Sequence, residues 1–214
     1  MTMNVKIEEF KLPFDTHKLY NVIIDNNDVI ETLVTHDPTM VCMWINNTEI
    51  LNRPRLHRLL VGLDTEWRSI VVEGRVQTVS VLQLCVGKSC LVYQILHAEE
   101  IPHELVSFLE NPDYTFVGIG VDKDVEKLLG DYNLKVTKVR DLRTWAAKEL
   151  EAKELRYAGL KTLVNLVVGK DMEKPKRITM SRWDNRVLSR GQVSYACLDA
   201  YFSFEIARLL SSWY

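Results

Sequence analysis

The spacing of apolar residues changes near Asp122, and this change constrains the fold more than any other feature of the sequence. Before that point, apolar β-branched runs predict buried strands over residues 4–12, 18–25, 57–64, 78–87, 90–95 and 114–120. After it, apolar residues at helical spacing predict helices over residues 122–132, 142–152, 160–169 and 190–213. Strands, then strand–helix alternation, then helices predict an α/β fold with a mixed central β-sheet flanked by α-helices.

The remaining segments complete this outline. Residues 26–37 predict a short capped helix, residues 40–45 are apolar enough to be buried, and residues 102–110 predict a helix with Pro102 in its first turn. No Gly/Ser/Pro-rich linker interrupts the chain. We therefore expect one domain over residues 1–214, with a core at about 57–210 and residues 1–56 extending the sheet.

Composition narrows the class of protein. A formal charge of −2 over 214 residues is no global basic signature, so a polyanion would be bound by a local patch. The cysteines form no CxxC pair or zinc-type cluster, and reduced, mostly buried thiols are expected at Cys42, Cys85, Cys90 and Cys197. No signal peptide or membrane-length apolar run is found, which predicts a cytoplasmic location with the nucleus as alternative.

Acidic residues occur where a core would not need them. Asp64 and Glu66 follow an apolar strand at i and i+2, so both side chains point to the same face. Such a pair either ends a strand in solvent or holds a cation between its carboxylates. At the start of the helix after residue 120, Asp122 suits a capping role and Asp124 is the better candidate for chemistry.

A third acidic position lies on the last helix. Tyr195 and Asp199 are four residues apart and share a helix face among apolar neighbours. The tyrosine could satisfy the buried aspartate by a hydrogen bond alone. Carboxylates on a strand, a strand–helix junction and a late helix are also a way to hold two hard divalent cations for phosphoryl displacement.

Three ordered motifs carry a family resemblance. DTEW (64–67), VGIGVDKDVEKL (117–128) and YACLD (195–199) resemble the exonuclease motifs of the DEDD 3'-5' exonucleases, which have an RNase H-like fold. The similarity covers about residues 57–210 and extends to Werner-syndrome-like and RNase D-like members. Family members have either a histidine or a tyrosine near the last aspartate. All five histidines lie in the first half of the sequence, so the chain resembles the tyrosine subclass.

The resemblance implies a role for each motif residue. Two Mg²⁺ ions, with Mn²⁺ as a substitute, would be bound by Asp64, Glu66, Asp124 and Asp199. Tyr195 would orient the attacking water, which completes a catalytic set made of these five residues. The reaction implied is two-metal hydrolysis that releases nucleoside 5'-monophosphates.

Nucleic acid would be held by side chains near the motifs. Trp67 or Leu63 would stack on or wedge the terminal base, and a packing role is the alternative for the tryptophan. Residues 170–190 carry seven bases against three acids and predict either a phosphate-tracking segment or a solvated loop. The nucleic-acid-binding residues expected are Leu63, Thr65, Trp67, Lys176, Arg177, Arg182 and Trp183. A second cluster, Arg53, Arg55 and Arg58, could act from the other side.

Small chains with this pattern resemble the RISC-interacting clearing 3'-5' exoribonucleases of plants. That resemblance implies single-stranded RNA as substrate, small-RNA clearance with Argonaute and other RISC components as partners, and a homo-oligomer such as a hexameric ring. A Werner-like DNA 3'-5' exonuclease is the alternative enzyme. A catalytically inactive nucleic-acid-binding module is the alternative outside enzymes, although all four carboxylates are present.

Overall fold

A mixed eight-stranded sheet organises the protein in a computed structural model that describes residues 2–13, 15–68 and 77–211. The strands are β1 Val5–Phe10, β2 His17–Ile24, β3 Asp28–Thr35, β4 Leu60–Glu66, β5 Val81–Val86, β6 Ser89–Tyr93, β7 Thr115–Gly118 and β8 Val139–Asp141. Their spatial order is β1-β2-β3-β6-β5-β4-β7-β8, with β3–β6, β4–β7 and β7–β8 parallel and the other pairs antiparallel. The predicted mixed α/β sheet is confirmed.

Helices cover both faces of this sheet. Within the described residues the α-helices are α1 Pro38–Leu51, α2 His103–Glu110, α3 Val121–Tyr132, α4 Leu142–Glu149, α5 Leu160–Leu163, α6 Lys176–Thr179 and α7 Arg190–Leu210. Short 3-10 segments lie at Arg53–Arg58, Ile95–His97 and Lys153–Tyr157, and α5 continues as a π-helix over Val164–Val168. The predicted last helix ended at 213, and its residues 212–213 lie outside the described residues. Among the described helices, none has the length and apolar content that a membrane crossing needs.

The long helix α7 lies directly on the sheet at Gly62. A Cβ atom at this glycine would be 2.0 Å from the carbonyl oxygen of Ala200 and 2.8 Å from the amide nitrogen of Phe204. Only glycine therefore allows the helix backbone to approach β4 this closely. On the opposite face, the indole nitrogen of Trp44 in α1 donates to Ser89 Oγ at 3.0 Å. The two helical layers thus enclose β4, β5 and β6.

The N-terminal strands extend the sheet, and one of them corrects the sequence prediction. Residues 26–37, predicted as a helix, form strand β3 over Asp28–Thr35 and pair with β2. Asp25 and Asn26 adopt positive φ angles of 52° and 61°. Asx residues tolerate this left-handed conformation, which is the geometry of a tight hairpin turn between strands. The polar run therefore turns the chain instead of capping a helix, and Asp37 caps the following helix α1.

The cysteines also depart from expectation in part. Cys85 and Cys90 face each other across the β5–β6 hairpin with Cα atoms 4.3 Å apart, and the structure pairs them as a disulfide. Cys42 and Cys197 are free thiols. Four reduced cysteines were expected, and this is wrong for the pair that β-hairpin register brings together.

Candidate active site

Strand β4 and helix α7 bring three carboxylates together. Asp64 and Glu66 alternate with Thr65, so they project from the same sheet face, the face on which α7 packs. Asp199 reaches the same point from α7 and is 2% exposed. Carboxylate oxygens of the three residues lie within 4.8 Å of one another. Acids distant along the chain therefore form one cluster at the end of β4.

Asp124 lies beside this cluster and is held differently. It sits in the first turn of α3, where its Oδ1 accepts a hydrogen bond of 2.6 Å from Thr65 Oγ1. Thr65 is predicted to bind nucleic acid, but it is buried and its hydroxyl is used on Asp124. Asp122 is exposed and does not cap α3, whose N-cap residue is Gly120. Asp124 is thus the acid of α3 that faces the site.

Burial and the neighbouring negative charges raise the pKa values of the carboxyl groups in this cluster. Burial, followed by the charges of Asp199 and Asp124, raises the pKa of Asp64 well above its ordinary value. Burial, followed by the charge of Asp199, raises the pKa of Glu66 to about 9. Burial raises the pKa of Asp124 to about 6, and it also raises the pKa of Asp199. Four carboxylates without a counterion repel one another, so a cation bound between them stabilises their charged forms.

Lys174 lies against the acids, although the sequence does not single it out among the neighbouring bases. Its ammonium group lies 2.6 Å from Asp199 Oδ2 and 5.0 Å from the centre of the Tyr195 ring. In the sequence it is one of the seven bases of residues 170–190. Only its place in the folded structure distinguishes it, because nothing in the local sequence separates it from the neighbouring lysines.

Tyr195 is fixed by a small buried cluster. Its hydroxyl receives a 3.2 Å hydrogen bond from Thr179 Oγ1, and the Trp183 indole nitrogen donates to the carbonyl oxygen of Thr179 at 3.2 Å. The Trp183 and Tyr195 rings pack with centroids 5.9 Å apart. Burial, followed by the charge of Asp199, raises the pKa of Tyr195. The phenol therefore stays protonated near neutral pH and can donate a hydrogen bond.

Two residues predicted to contact nucleic acid are fully enclosed. Trp183 has no exposed surface, and Leu63 is 1% exposed. Neither side chain can stack on or wedge a base from these positions, so both expectations are corrected. Leu63 packs in the core because alternation along β4 turns it away from the acids, and Trp183 supports Tyr195.

Trp67 borders an open cavity of about 440 Å³ next to the acids. The other residues that line this cavity are Asp64, Thr65, Ile119, Gly120, Asp122, Lys123, Asp124 and Arg143. Lys127 Nζ lies 5.4 Å from the Trp67 ring centre. Arg143 is held by Asp141, whose carboxylate also accepts a hydrogen bond from the Gly120 amide. The volume falls within the range of small-ligand pockets.

The basic segment 170–190 reaches the site through two half-buried residues. Lys174 touches Asp199 and Thr179 touches Tyr195, so the exposed Lys176 and Arg177 lie on the stretch between two contacts with the site. Arg182 is exposed too but pairs with Asp184 at 3.3 Å.

The second basic cluster lies at the opposite end of β4 from the acids. Arg53, Arg55 and Arg58 precede β4, whereas Asp64 and Glu66 are at its other end. Seven strand residues span about 20 Å. These arginines therefore do not flank the acids from the other side, as had been expected.

The donor set fits a divalent metal. All of the clustered ligand atoms are carboxylate oxygens, which hard cations such as Mg²⁺ and Mn²⁺ prefer. Asp199 Oδ1 is buried and receives no hydrogen bond from the residues that the structure describes. A buried carboxylate oxygen without a donor is unfavourable unless a cation satisfies it. The residues that would hold the metal are Asp64, Glu66 and Asp199, with Asp124 adjacent.

Comparison with known proteins gives one consistent family. The family model described as 3'-5' exonuclease matches residues 38–212. A 3'-5' exonuclease of Arabidopsis thaliana is 37% identical over 155 residues, which cover 70% of this chain and 52% of the relative. The Mus musculus bifunctional 3'-5' exonuclease/ATP-dependent helicase WRN is 35% identical over 154 residues, covering 72% of this chain and 11% of the relative. The chain thus spans about half the length, or less, of these relatives.

Solved structures share the fold. Escherichia coli RNase D superposes with a TM-score of 0.62 at 19% identity, covering 77% of this chain and 42% of that one. The catalytic core of Trypanosoma brucei RRP6 gives 0.61 at 18% identity, covering 78% and 44%. The predicted RNase H-like architecture is confirmed by these similarities.

Proposed function

Because the chain belongs to the 3'-5' exonuclease family, we propose that it removes nucleotides from the 3' end of single-stranded RNA by two-metal-ion hydrolysis. The observation that carries this proposal is the carboxylate cluster of Asp64, Glu66 and Asp199 beside an open cavity. The products would be nucleoside 5'-monophosphates, since attack at the terminal phosphodiester leaves the phosphate on the released nucleoside.

Each side chain of the site has a role in this reaction. Asp64, Glu66 and Asp199 would bind two Mg²⁺ ions, with Asp124 completing the ligand set and Mn²⁺ as a substitute. Divalent ions at such a site supply water activation and offset the charge that develops on phosphate oxygens. Tyr195, kept protonated by burial, donates a hydrogen bond that orients the attacking water. Trp67 lies at the cavity edge, where it can stack on the terminal base.

Lys174 has a supporting role in the same reaction. Its ammonium group sits against Asp199 and above the Tyr195 ring. Substrate phosphate brings negative charge to this point, so the lysine can offset charge on the phosphate and hold Asp199 in place. Its side chain is 30% exposed, which leaves it accessible to a bound strand.

The preference for RNA rests on resemblance. Escherichia coli RNase D, which shares the fold, is described as an exoribonuclease involved in structured RNA processing. The mouse relative WRN supports the second candidate, a DNA 3'-5' exonuclease, at a higher identity of 35%. Carboxylates and metal act on the phosphate, which ribose and deoxyribose strands share, so the sugar preference must come from contacts to the 2'-hydroxyl.

The cellular context is also part of the proposal. By similarity to the plant exoribonucleases that clear RISC-associated RNA, we assign the chain to small-RNA clearance in the cytoplasm, with Argonaute and RISC components as partners. The same similarity favours a homo-oligomeric ring, with a hexamer as the proposed number of subunits.

A time course on end-labelled strands tests the proposed activity. RNA and DNA of one sequence are labelled at either end and incubated with Mg²⁺, Mn²⁺ or a chelator. We expect the 3' label to be released as a mononucleotide at the earliest times, while the 5' label remains on progressively shorter strands. RNA should be degraded faster than DNA, and chelation should stop both reactions. Internal fragments, or metal-independent cleavage, would contradict the proposal.

Replacing Tyr195 with phenylalanine should lower kcat by about 10²-fold or more, because loss of a positioned proton donor or acceptor typically costs that much. The ring packing with Trp183 remains, so the melting temperature should change little. Tyr157→Phe is the matched control, since its side chain is 91% exposed and outside the site. Single-turnover rates at saturating metal measure the effect, and equal rates for the two variants would exclude the assigned role of Tyr195.

Lys176 and Arg177 should contribute to binding through phosphate contacts. Replacing both with alanine removes two cations, so the slope of log affinity against log salt for a single strand should become shallower by about 1.4. Lys153 and Arg156, exposed on the 3-10 segment Lys153–Tyr157, serve as the matched double substitution and should leave the slope unchanged. Fluorescence anisotropy in Ca²⁺ measures binding; the same slope for both double variants would show that the segment is a solvated loop.

A further inference from the structure

One buried polar side chain in the sheet has no part in the mechanism described so far. Strand β5 is buried along its whole length, and its six residues include a single polar one, Gln83, which has no exposed surface. The Gln83 Oε1 atom receives no hydrogen bond within the described parts of the chain. Its Nε2 atom reaches the Val81 carbonyl oxygen only at 3.5 Å. An amide satisfied this poorly is unfavourable in a core, where leucine of similar volume would pack without that cost.

The strand register explains what the amide is near. Gln83 lies directly opposite Asp64 in the antiparallel β4–β5 pair. Directly opposite residues project from the same face, with Cβ atoms about 4.5–5.5 Å apart. The neighbour on the other side, in β6, is Val92, which offers no polar side-chain atom. Of its two cross-strand neighbours, Asp64 is therefore the one with a polar side chain.

We propose that Gln83 is a positioning residue whose side-chain amide holds the Asp64 carboxylate in the orientation that binds metal. The inference rests on the proposed function, since it assigns a supporting residue to the same site. A half turn about the terminal torsion of Gln83 exchanges its oxygen and nitrogen, so the NH₂ group is available in either direction. The amide can then donate to one oxygen of Asp64 and leave the other for the cation.

A neutral donor suits this task better than a charged one. Lys174 already places a full positive charge on Asp199 at 2.6 Å. A second ammonium on Asp64 would compete with the divalent cation for the same carboxylate. An amide orients the carboxylate without adding charge, as the supporting hydrogen bonds around metal ligands do elsewhere. This explains why β5 carries a glutamine at the position facing the acid.

A purely structural role for Gln83 makes a different prediction. If the side chain only fills space, replacing it with leucine would keep or raise stability and leave metal affinity unchanged. If it holds Asp64, the same replacement would keep or raise stability and weaken metal binding. The two roles are therefore separated by metal affinity and not by stability.

Titration of the whole chain with Mn²⁺, followed by electron paramagnetic resonance of the free ion, measures that affinity. We expect Gln83→Leu to bind Mn²⁺ about 10-fold or more weakly, in the range found for residues that support metal ligands. Gln83→Met, also apolar but more flexible, should behave in the same way and covers the case in which the leucine does not pack. The control is Gln94→Leu, a buried glutamine that donates to the Asn185 and Arg186 carbonyl oxygens away from the acids.

The outcomes separate this inference from the proposed function. Wild-type affinity in folded Gln83→Leu and Gln83→Met would overturn the assignment while leaving the exonuclease proposal intact. An equal loss of affinity in the Gln94→Leu control would overturn it as well, because the effect would then be general to core amides. Absence of Mn²⁺ binding in the wild-type protein would overturn both the assignment and the metal site itself.

Discussion

Asp199→Asn is expected to lower kcat/KM by about 10³-fold or more, since metal-ligand loss removes several kcal/mol of transition-state stabilisation. The neutral amide keeps the shape of the side chain but removes the negative charge that helps to bind cations. Asp199 contributes to the group of oxygens within 4.8 Å and is almost fully buried, so no solvent-exposed acid can replace it.

The folded state should tolerate this replacement. Burial, and after it the charge of Asp199, raises the pKa of Asp64 and Glu66, so removing that charge relieves part of the cost, although Lys174 loses its ion-pair partner. Asp113→Asn is the matched control, because Asp113 is an exposed acid in the loop before β7 and does not line the cavity beside the acids. We expect near wild-type turnover for the control. Activity of Asp199→Asn above about a tenth of wild type would be incompatible with the site described here.

Gly62→Ala is expected to destabilise the protein by about 3 kcal/mol and to lower activity as well, because overpacking against backbone cannot be relieved by a rotamer change. The added methyl group would lie 2.0 Å from the Ala200 carbonyl oxygen. Helix α7 would have to move away from β4, and this helix carries both Tyr195 and Asp199. A displacement of about 1 Å in a catalytic group can cost about 10²-fold in rate.

Gly130→Ala provides the comparison for this effect. Gly130 lies inside helix α3, and a Cβ atom there would meet nothing within 4 Å. Alanine should therefore stabilise the helix by about 0.5–1 kcal/mol. Urea unfolding measures both changes, and equal stability of Gly62→Ala and wild type would disprove the close approach of α7 to the sheet.

The parts of the fold that the sequence predicted are those with a strong local signal. Uninterrupted apolar runs marked β4, β5 and β6, and helical spacing marked α3 and α7. The error at β3 arose where two signals conflicted. Asn26 and Asn27 before an acidic, partly apolar run are typical of a helix start, but the chain turns there and Val29, Ile30 and Val34 then join a sheet.

The acidic residues could be proposed from sequence because their chemistry is unusual in apolar segments. Their ordered spacing added the family resemblance, which the comparisons confirm. The residues around the acids were harder to predict from the sequence. Trp183 and Leu63 are close to the motifs in sequence, yet both side chains are enclosed in the core. Thr65 lines the cavity, but its hydroxyl donates to Asp124.

Lys174 and Gln83 are residues near the acids that the sequence analysis does not identify. A lysine in a basic segment and a glutamine in an apolar strand carry no local mark of their neighbours. Only the return of residues 170–180 to α7 places the lysine against Asp199, and only the β4–β5 register places the glutamine opposite Asp64. Such placements depend on tertiary structure, so single-sequence patterns do not predict them.

Crystals soaked in Mn²⁺ provide the most direct measurement of the central claim. An anomalous difference map should contain two manganese peaks bounded by the carboxylates of Asp64, Glu66, Asp124 and Asp199, and Asp199→Asn crystals should lose at least one of them. A wild-type map without manganese at these four side chains would contradict the account.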